Sequence, residues 1–425
     1  MVQTVNFRGT SKRCWCVKRG GLVLGTALLL LACAAPDGRV EAPAAATLVA
    51  TSTPPPAAPP VAFAHNEAVL MAARDLFGKA QISADKPISV VIDPLVDGST
   101  GLQSVATEAI AKQLVNVVSS EFPKFQIKAL TAANVAELPL VFIGTFTPIN
   151  LQGKGEGERD AYRICFALAD LKTGKLVSKG FARSQTAGVD PTPLPYFRDA
   201  PLWVNDKVVE GYIKTCQGSK VGDPINPDYL DKVLSVVGIA EATSAYNNKQ
   251  YREALAQFST LLRSKAGDQT RVHTGVYLSN VKLGRRTPAM KNFAEIAQRG
   301  LNADRLAVKF NFQPGSVTLA RSDSPYDLWL KTLASQSALT AKASAGCFEI
   351  SGHTGRGGSE AMNERLSLQR AEYVKQRLIA ENGDLARRIN ARGYGSRQAL
   401  IATGRDDESD ALDRRIEFRH APCQV

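Results

Sequence analysis

The chain has 425 residues, 44% of them hydrophobic and 22% charged, which is ordinary for globular material and long enough for about two to three domains. That balance excludes collagen-like, coiled-coil and wholly disordered classes, and a mean hydropathy of −0.12 with a single long apolar run excludes a multi-span membrane protein. The formal charge of +12 includes Arg8, Lys12, Arg13, Lys18 and Arg19; without them, 47 basic against 40 acidic residues leave +7, an ordinary surface surplus and a weak nucleic-acid signal.

A basic start runs into the apolar segment Gly21–Ala32 and then Cys33. The apolar run is too short to span a bilayer stably and has the layout of a signal peptide, residues 1–32. Leu30-Leu31-Ala32-Cys33 resembles the bacterial lipobox, with Leu31 a less usual residue at its place. The resemblance implies a diacylated Cys33 as the mature N-terminus, and several acyl chains on one residue anchor stably. Ala34 in place of Asp after that Cys implies outer-membrane sorting. Residues 33–65 then form a Pro- and Ala-rich linker that builds no core and extends at about 3.1 Å per residue. Cys165, Cys216, Cys347 and Cys423 remain, an even count that in an oxidising compartment allows three pairings. Cys165–Cys216 and Cys347–Cys423 are favoured because each pair then lies within one domain. No zinc-type spacing is present.

Residues 66–225 read as an α+β domain. Ile88–Ile92 is a β-branched strand, Asp97 to Gly101 a turn, and Ser104–Phe122 a helix with Ile110, Leu114 and Val117 on one face. Phe125–Leu130 and Leu138–Phe146 read as strands. Tyr162–Ala169 and Lys175–Ala182 form a hairpin across Asp170–Gly174. The pattern is similar to that of lipoproteins of the curli-secretion and penicillin-binding-protein-activator type. Gly153–Gly157 lacks the Lys and hydroxyl of a phosphate cradle, and Asp93, Asp97 and Ser99 lack the alternation of a calcium loop.

Residues 226–301 are helical and repetitive. Ala254 and Phe258 recur as Ala289 and Phe293, each 35 residues on. This resembles a pair of tetratricopeptide-like units, whose period is about 34 residues.

Residues 302–425 change pattern again. Leu306–Phe312, Cys347–Gly352, Ile389–Gly393 and Arg415–Arg419 read as strands, and Pro325–Ser337 and Met362–Glu381 as helices. Asn363, Ser367, Arg370, Val374 and Leu378 share one stripe of the second helix. Its C-terminal half is apolar and must face a core. Polar groups on the same stripe need partners, at a cost of about 1–3 kcal/mol each if left without. Arg370 offers a fork matched to a carboxylate, and the loop Gly352–Gly358 can bring backbone N–H groups to it.

Thr354, Gly358, Asn363, Leu366, Ser367, Arg370, Ala371 and Val374, with Gly393-Tyr-Gly395 and Asp413–Glu417 downstream, match the pattern of the peptidoglycan-binding C-terminal domain of outer membrane protein A. The segment resembles that family over about 303–425. The resemblance implies a βαβαββ domain with a mixed sheet, completing a multidomain α+β chain. It implies that Arg370, Asn363, Thr354, Ser367 and His353 surround a stem-peptide diaminopimelate, with Arg370 on its carboxylate. One departure stands out: the family Asp that holds the ligand's amino group is Gly355 here. Glu360 or His353 could compensate. The family fold also places Cys347 and Cys423 on neighbouring strand ends. The acidic run Asp406-Asp407-Glu408 to Asp410 reads as a solvated loop.

No GxSxG, HExxH or Cys/His nucleophile pair appears, so a non-enzymatic protein without cofactor is expected. The expected function is an outer-membrane lipoprotein facing the periplasm. It tethers peptidoglycan through residues 302–425 and recruits an envelope protein through its other modules, with no nucleic-acid partner. The alternative is an assembly or regulatory lipoprotein of a secretion, appendage or cell-wall-synthesis complex, whose C-terminal domain has lost its ligand.

Overall fold

The structure is a computed structural model that describes residues 61–82, 86–204, 206–320 and 324–423. The signal peptide 1–32, Cys33 and most of the 33–65 linker lie outside the described residues.

The first layer opens with helix α1 (His65–Lys79), an element with no counterpart in the sequence reading, and continues through strands β1 (Ile88–Ile92) and β2 (Val96–Asp97). Helix α2 (Val105–Glu121) follows, capped by Ser104, whose hydroxyl accepts from the Thr107 backbone N–H. Strand β3 (Phe125–Lys128) and the short α3 (Ala132–Ala136) lead to β4 (Leu140–Ile149), β5 (Ala161–Asp170) and β6 (Lys175–Gln185). The sheet order is β3-β1-β4-β5-β6, with β1 parallel to β3 and β4, the β4-β5-β6 meander antiparallel, and β2 beside β4. All ten positions of β4 are buried, as a strand covered on both faces requires. Phe77, Phe142 and Phe166 fill one face, under α1 and α2.

After α4 (Pro195–Asp199) and β7 (Leu202–Val204), helix α5 (Lys207–Gln217) covers the other face. There Cys216 is joined to Cys165 of β5. A short α6 (Pro227–Leu230) leads into four consecutive packed helices: α7 (Val233–Asn247), α8 (Tyr251–Leu261), α9 (Thr270–Lys282) and α10 (Arg286–Asn302). Ala254, Phe258 and Phe293 of the repeated positions are fully buried and Ala289 nearly so.

The last layer contains β8 (Leu306–Val308), α11 (Tyr326–Ser344), β9 (Cys347–Gly352), α12 (Glu360–Glu381), β10 (Ile389–Gly393) and β11 (Ile416–Ala421). Its sheet runs β10-β9-β11-β8-β7, with β9 and β10 parallel and the other pairs antiparallel. Cys347 and Cys423 are joined, as expected. The outer strand β7 comes from residues 202–204, inside the segment read as the first domain. It is three residues long and carries no periodicity a sequence could show. One hydrophobic core runs from the four helices into this sheet: Phe293 of α10 stacks on Trp329 of α11 with ring centroids 5.5 Å apart.

Candidate functional site

The stripe on α12 is buried along its length, from Asn363 and Ser367 through Arg370 to Leu378. Two glycines let the helix lie this close to the sheet. A Cβ on Gly352 of β9 would fall 1.9 Å from the Ser367 carbonyl oxygen, and one on Gly393 of β10 would fall 2.6 Å from that of Glu364. The N-terminal half of α12 is thereby pressed against the ends of β9 and β10, and its polar residues meet the loop that follows β9. Ser359 caps the helix, accepting from the Met362 backbone N–H at 3.3 Å.

Arg370 is only 8% exposed. Its Nε donates to the Ser316 carbonyl at 3.0 Å, its Nη2 donates to the Gln313 carbonyl at 3.2 Å, and its plane lies over the Phe312 ring at 4.9 Å. Nη1 makes no hydrogen bond among the described residues and stays available. The loop after β8 therefore aims the fork, a role that sequence periodicity does not reveal because those acceptors are backbone carbonyls.

Thr354 and Asn363 are 4% and 5% exposed, and the Thr354 hydroxyl and the Asn363 Nδ2 are buried without a partner among the described residues. Buried polar groups ordinarily find partners, and each orphan costs about 1–3 kcal/mol. Asn363 shares the buried stripe of α12 with Arg370, two of whose three nitrogens are committed.

The other expected residues divide. The fully buried Ser367 hydroxyl is committed inside the protein. It donates to the Glu364 carbonyl at 2.8 Å and accepts from the Gly395 backbone N–H at 2.9 Å, so it holds the segment after β10 in place. His353 is 2% exposed and stacks on Tyr394, with both ring nitrogens unpartnered. Burial, helped by Arg415, pushes its pKa down to about 3, so the ring is neutral near pH 7. It cannot replace an acid. Nor does Glu360, whose carboxylate is taken by Ser396 at 2.6 Å and Arg397 at 3.5 Å.

A carboxylate from another loop does stand against Gly355. The backbone at Gly355 faces Asp406, and a Cβ added there would lie 2.6 Å from Asp406 Oδ1. That oxygen accepts from Arg414 Nη1 at 2.9 Å, while Oδ2 has no hydrogen bond among the described residues. The run 406–410 is thus only partly a solvated loop. Asp410 is 1% exposed and accepts from the backbone N–H of Thr403 and of Asp406, and Asp413 accepts from Leu400, Ile401 and Ala402. These buried carboxylates brace a turn that holds Asp406 at φ 56°, with its own carboxylate over Gly355. Local sequence carries no signal that the two loops meet. Among the described residues no cluster of side chains could hold a metal ion, and no helix is long and apolar enough to cross a membrane.

Comparison with known proteins gives this geometry a family. Residues 311–414 match the model described as "OmpA family". Outer membrane porin F of Pseudomonas aeruginosa is 38% identical over 68 residues, 16% of this chain and 19% of the porin. Outer membrane protein Omp38 of Acinetobacter baumannii is 40% identical over 67 residues, 16% of this chain and 18% of that protein. The match spans about a fifth of the length of these relatives. Among solved structures, the peptidoglycan-associated lipoprotein from Burkholderia pseudomallei aligns at 24% identity and a TM-score of 0.23, over 26% of this chain and 88% of that one. The cell wall anchor of the T6SS from Pseudomonas aeruginosa aligns at 23% identity and a TM-score of 0.22, over 28% and 81%. Over residues 311–414 the chain is a domain of the OmpA family.

Proposed function

We propose that the chain is an outer-membrane lipoprotein, anchored through Cys33, whose residues 302–425 hold peptidoglycan noncovalently. The modules 66–225 and 226–301, the latter a tetratricopeptide-like pair, would recruit an envelope protein. The observation that carries this reading is the pair of orphaned buried groups, Thr354 Oγ1 and Asn363 Nδ2, the latter on the same buried stripe of α12 as Arg370, whose Nη1 is uncommitted. The diamino acid of a stem peptide is zwitterionic and needs a cation and an anion at fixed separation. Arg370 takes the carboxylate, and Asp406 Oδ2 takes the ammonium in place of an acid at 355. Thr354 and Asn363 bond the backbone between them, and Ser367 and His353 position the loops. The outer-membrane names of the matched relatives agree with the compartment.

One observation favours the alternative of a docking domain that has lost its ligand: two of the three Arg370 nitrogens are already used by Gln313 and Ser316. Cosedimentation of the full chain with diaminopimelate-type peptidoglycan separates the two. Arg370→Ala and Asp406→Asn are each expected to weaken pelleting about ten- to a hundredfold, the worth of one charge-assisted hydrogen bond. A folded wild-type chain that stays in the supernatant overturns wall binding and favours the docking role.

A further inference from the structure

A second polar site lies where the first layer meets the C-terminal domain. The turn carrying Gly155, Glu156 and Gly157 faces the segment Ser396–Leu400 across a groove of about 500 Å³. Its walls carry six arginines, Arg159, Arg305, Arg356, Arg397, Arg415 and Arg419, against Glu156 and Glu360.

Half of these cations have a carboxylate partner, two of them sharing one. Arg397 pairs with Glu364 at 2.9 Å, and Arg415 and Arg419 both bind the buried Glu417. The other three, Arg159, Arg305 and Arg356, form no ion pair among the described residues. Arg159 donates to the carbonyls of Gly155, Gly157 and Ala399, which fixes its plane, and no carboxylate contacts it directly, although Asp413, Asp97 and Glu156 act on it from a distance. Arg356 reaches the same Gly157 carbonyl at 3.5 Å. Arg305 lies over the Trp203 ring at 4.8 Å. The Nε atoms of Arg159 and Arg305 are buried with no acceptor.

Guanidinium nitrogens withdrawn from water without an acceptor are costly. Burial holds both Arg159 and Arg305 below the ordinary arginine value, although Asp413 on Arg159 and Glu417 on Arg305 pull the other way. The three forks, none of which has a direct carboxylate partner among the described residues, are best served together by a ligand with several anionic oxygens on one centre. A single carboxylate supplies fewer than a phosphate dianion, whose oxygens are spaced for bidentate arginine bonds.

We infer that this interdomain groove is a binding site for a phosphate dianion, free or as a phosphomonoester, held by Arg159, Arg305 and Arg356. The ligand would join the first layer to the C-terminal domain, because Arg159 belongs to one and Arg356 to the other. Arg356 lies on the 353–358 loop of the proposed wall site, but Arg159 and Arg305 lie outside that site, and the inference stands whether or not that reading holds.

The test is calorimetric titration of the full chain, solubilised in mild detergent, with inorganic phosphate, pyrophosphate and glycerol 3-phosphate at low ionic strength. Saturable binding is expected, weakened at least about tenfold in Arg305→Gln and in Arg159→Gln. It should be unchanged in Arg263→Gln, an exposed arginine outside the groove. Arg159→Gln keeps the test decisive if the change beside Trp203 disturbs folding, since Arg159 lies half-buried on an irregular segment outside helix and strand. Equal affinity for inorganic phosphate and the monoester identifies the free anion as ligand, and preference for the monoester identifies an esterified one. Absence of saturable binding, or binding that Arg159→Gln leaves unchanged, overturns the site. Pelleting of Arg159→Gln with peptidoglycan should match wild type, which keeps this result separate from wall binding.

Discussion

At residue 355 a carboxylate from a distant part of the chain, Asp406, stands against a position without a side chain. Simple restoration of an acid, Gly355→Asp, should not strengthen wall binding. Its Cβ would start 2.6 Å from Asp406 Oδ1, and two carboxylates would compete for one place. The expected result is weaker pelleting and a lower melting temperature. The double variant Gly355→Asp/Asp406→Gly should recover binding toward wild type, and failure of the pair to recover would show that Asp406 is not the acidic arm. His353 gives a pH test at the same scale. Its folded pKa of about 3 lies below the ordinary 6.5, so between those values the unfolded chain takes up a proton that the folded chain refuses. Stability contributed by the neutral ring is therefore complete above pH 6.5 and lost as pH falls toward 3. His353→Phe keeps the stack on Tyr394 and should flatten the acid limb of a denaturation series over that window. An unchanged slope would rule out His353 as its source. Glu417 acts lower still. Burial pushes its pKa up, but Arg415 and Arg419 outweigh this and hold it at about 2, so its contribution is present above 4.5 and lost as pH falls through 2.

Among the elements, α12 and the two strands beneath it decide the site. The contact depends on an absence, since neither Gly352 nor Gly393 can carry a Cβ without meeting helix backbone. Gly352→Ala should cost about 1–3 kcal/mol or more, the usual range for overpacking, because a carbonyl cannot swing aside as a side-chain tip can. It should also reduce wall binding by lifting Asn363 and Arg370 away from the 353–358 loop. Thermal melts combined with pelleting check both effects, and a stable variant with full binding would contradict this account. The stripe Asn363, Ser367, Arg370, Val374 and Leu378 is legible as a helical face, and its burial follows from the apolar half. Which of its polar members is free and which is consumed was not legible, because the partners are carbonyls of Gln313, Ser316 and Glu364, and every residue has a carbonyl.

At the scale of the molecule, the helical section and the C-terminal sheet share one hydrophobic core. Trp329 stacks on Phe293 and donates its Nε1–H to the Tyr277 hydroxyl at 3.1 Å, so one side chain ties α9, α10 and α11. Trp329→Ala should lower stability by about 3–5 kcal/mol. It should shift unfolding of the helical section and the C-terminal sheet together, read by hydrogen exchange at residues 270–302 and 347–352. Loss of protection confined to one of them would show separate cores. Strand β7 adds to this union: Leu202–Val204 leaves the first layer and closes the C-terminal sheet beside β8.

Sequence alone determined what depends on short-range periodicity and fixed spacing. The α12 stripe, the 35-residue recurrence of Ala and Phe, the strands of the β5-β6 hairpin and the family match around Thr354 to Val374 are all of that kind. A face of a helix or strand repeats every few residues whatever surrounds it. Tertiary structure alone decided what depends on segments distant in the chain. It set Asp406 over Gly355, the Gln313 and Ser316 carbonyls on Arg370, β7 on the edge of the last sheet, and unpaired arginines from two layers around one groove. Each of these is a contact between loops or strand ends, where no repeat records the partner. The free energy that selects them comes from burial, charge and backbone hydrogen bonds formed only once the layers have met.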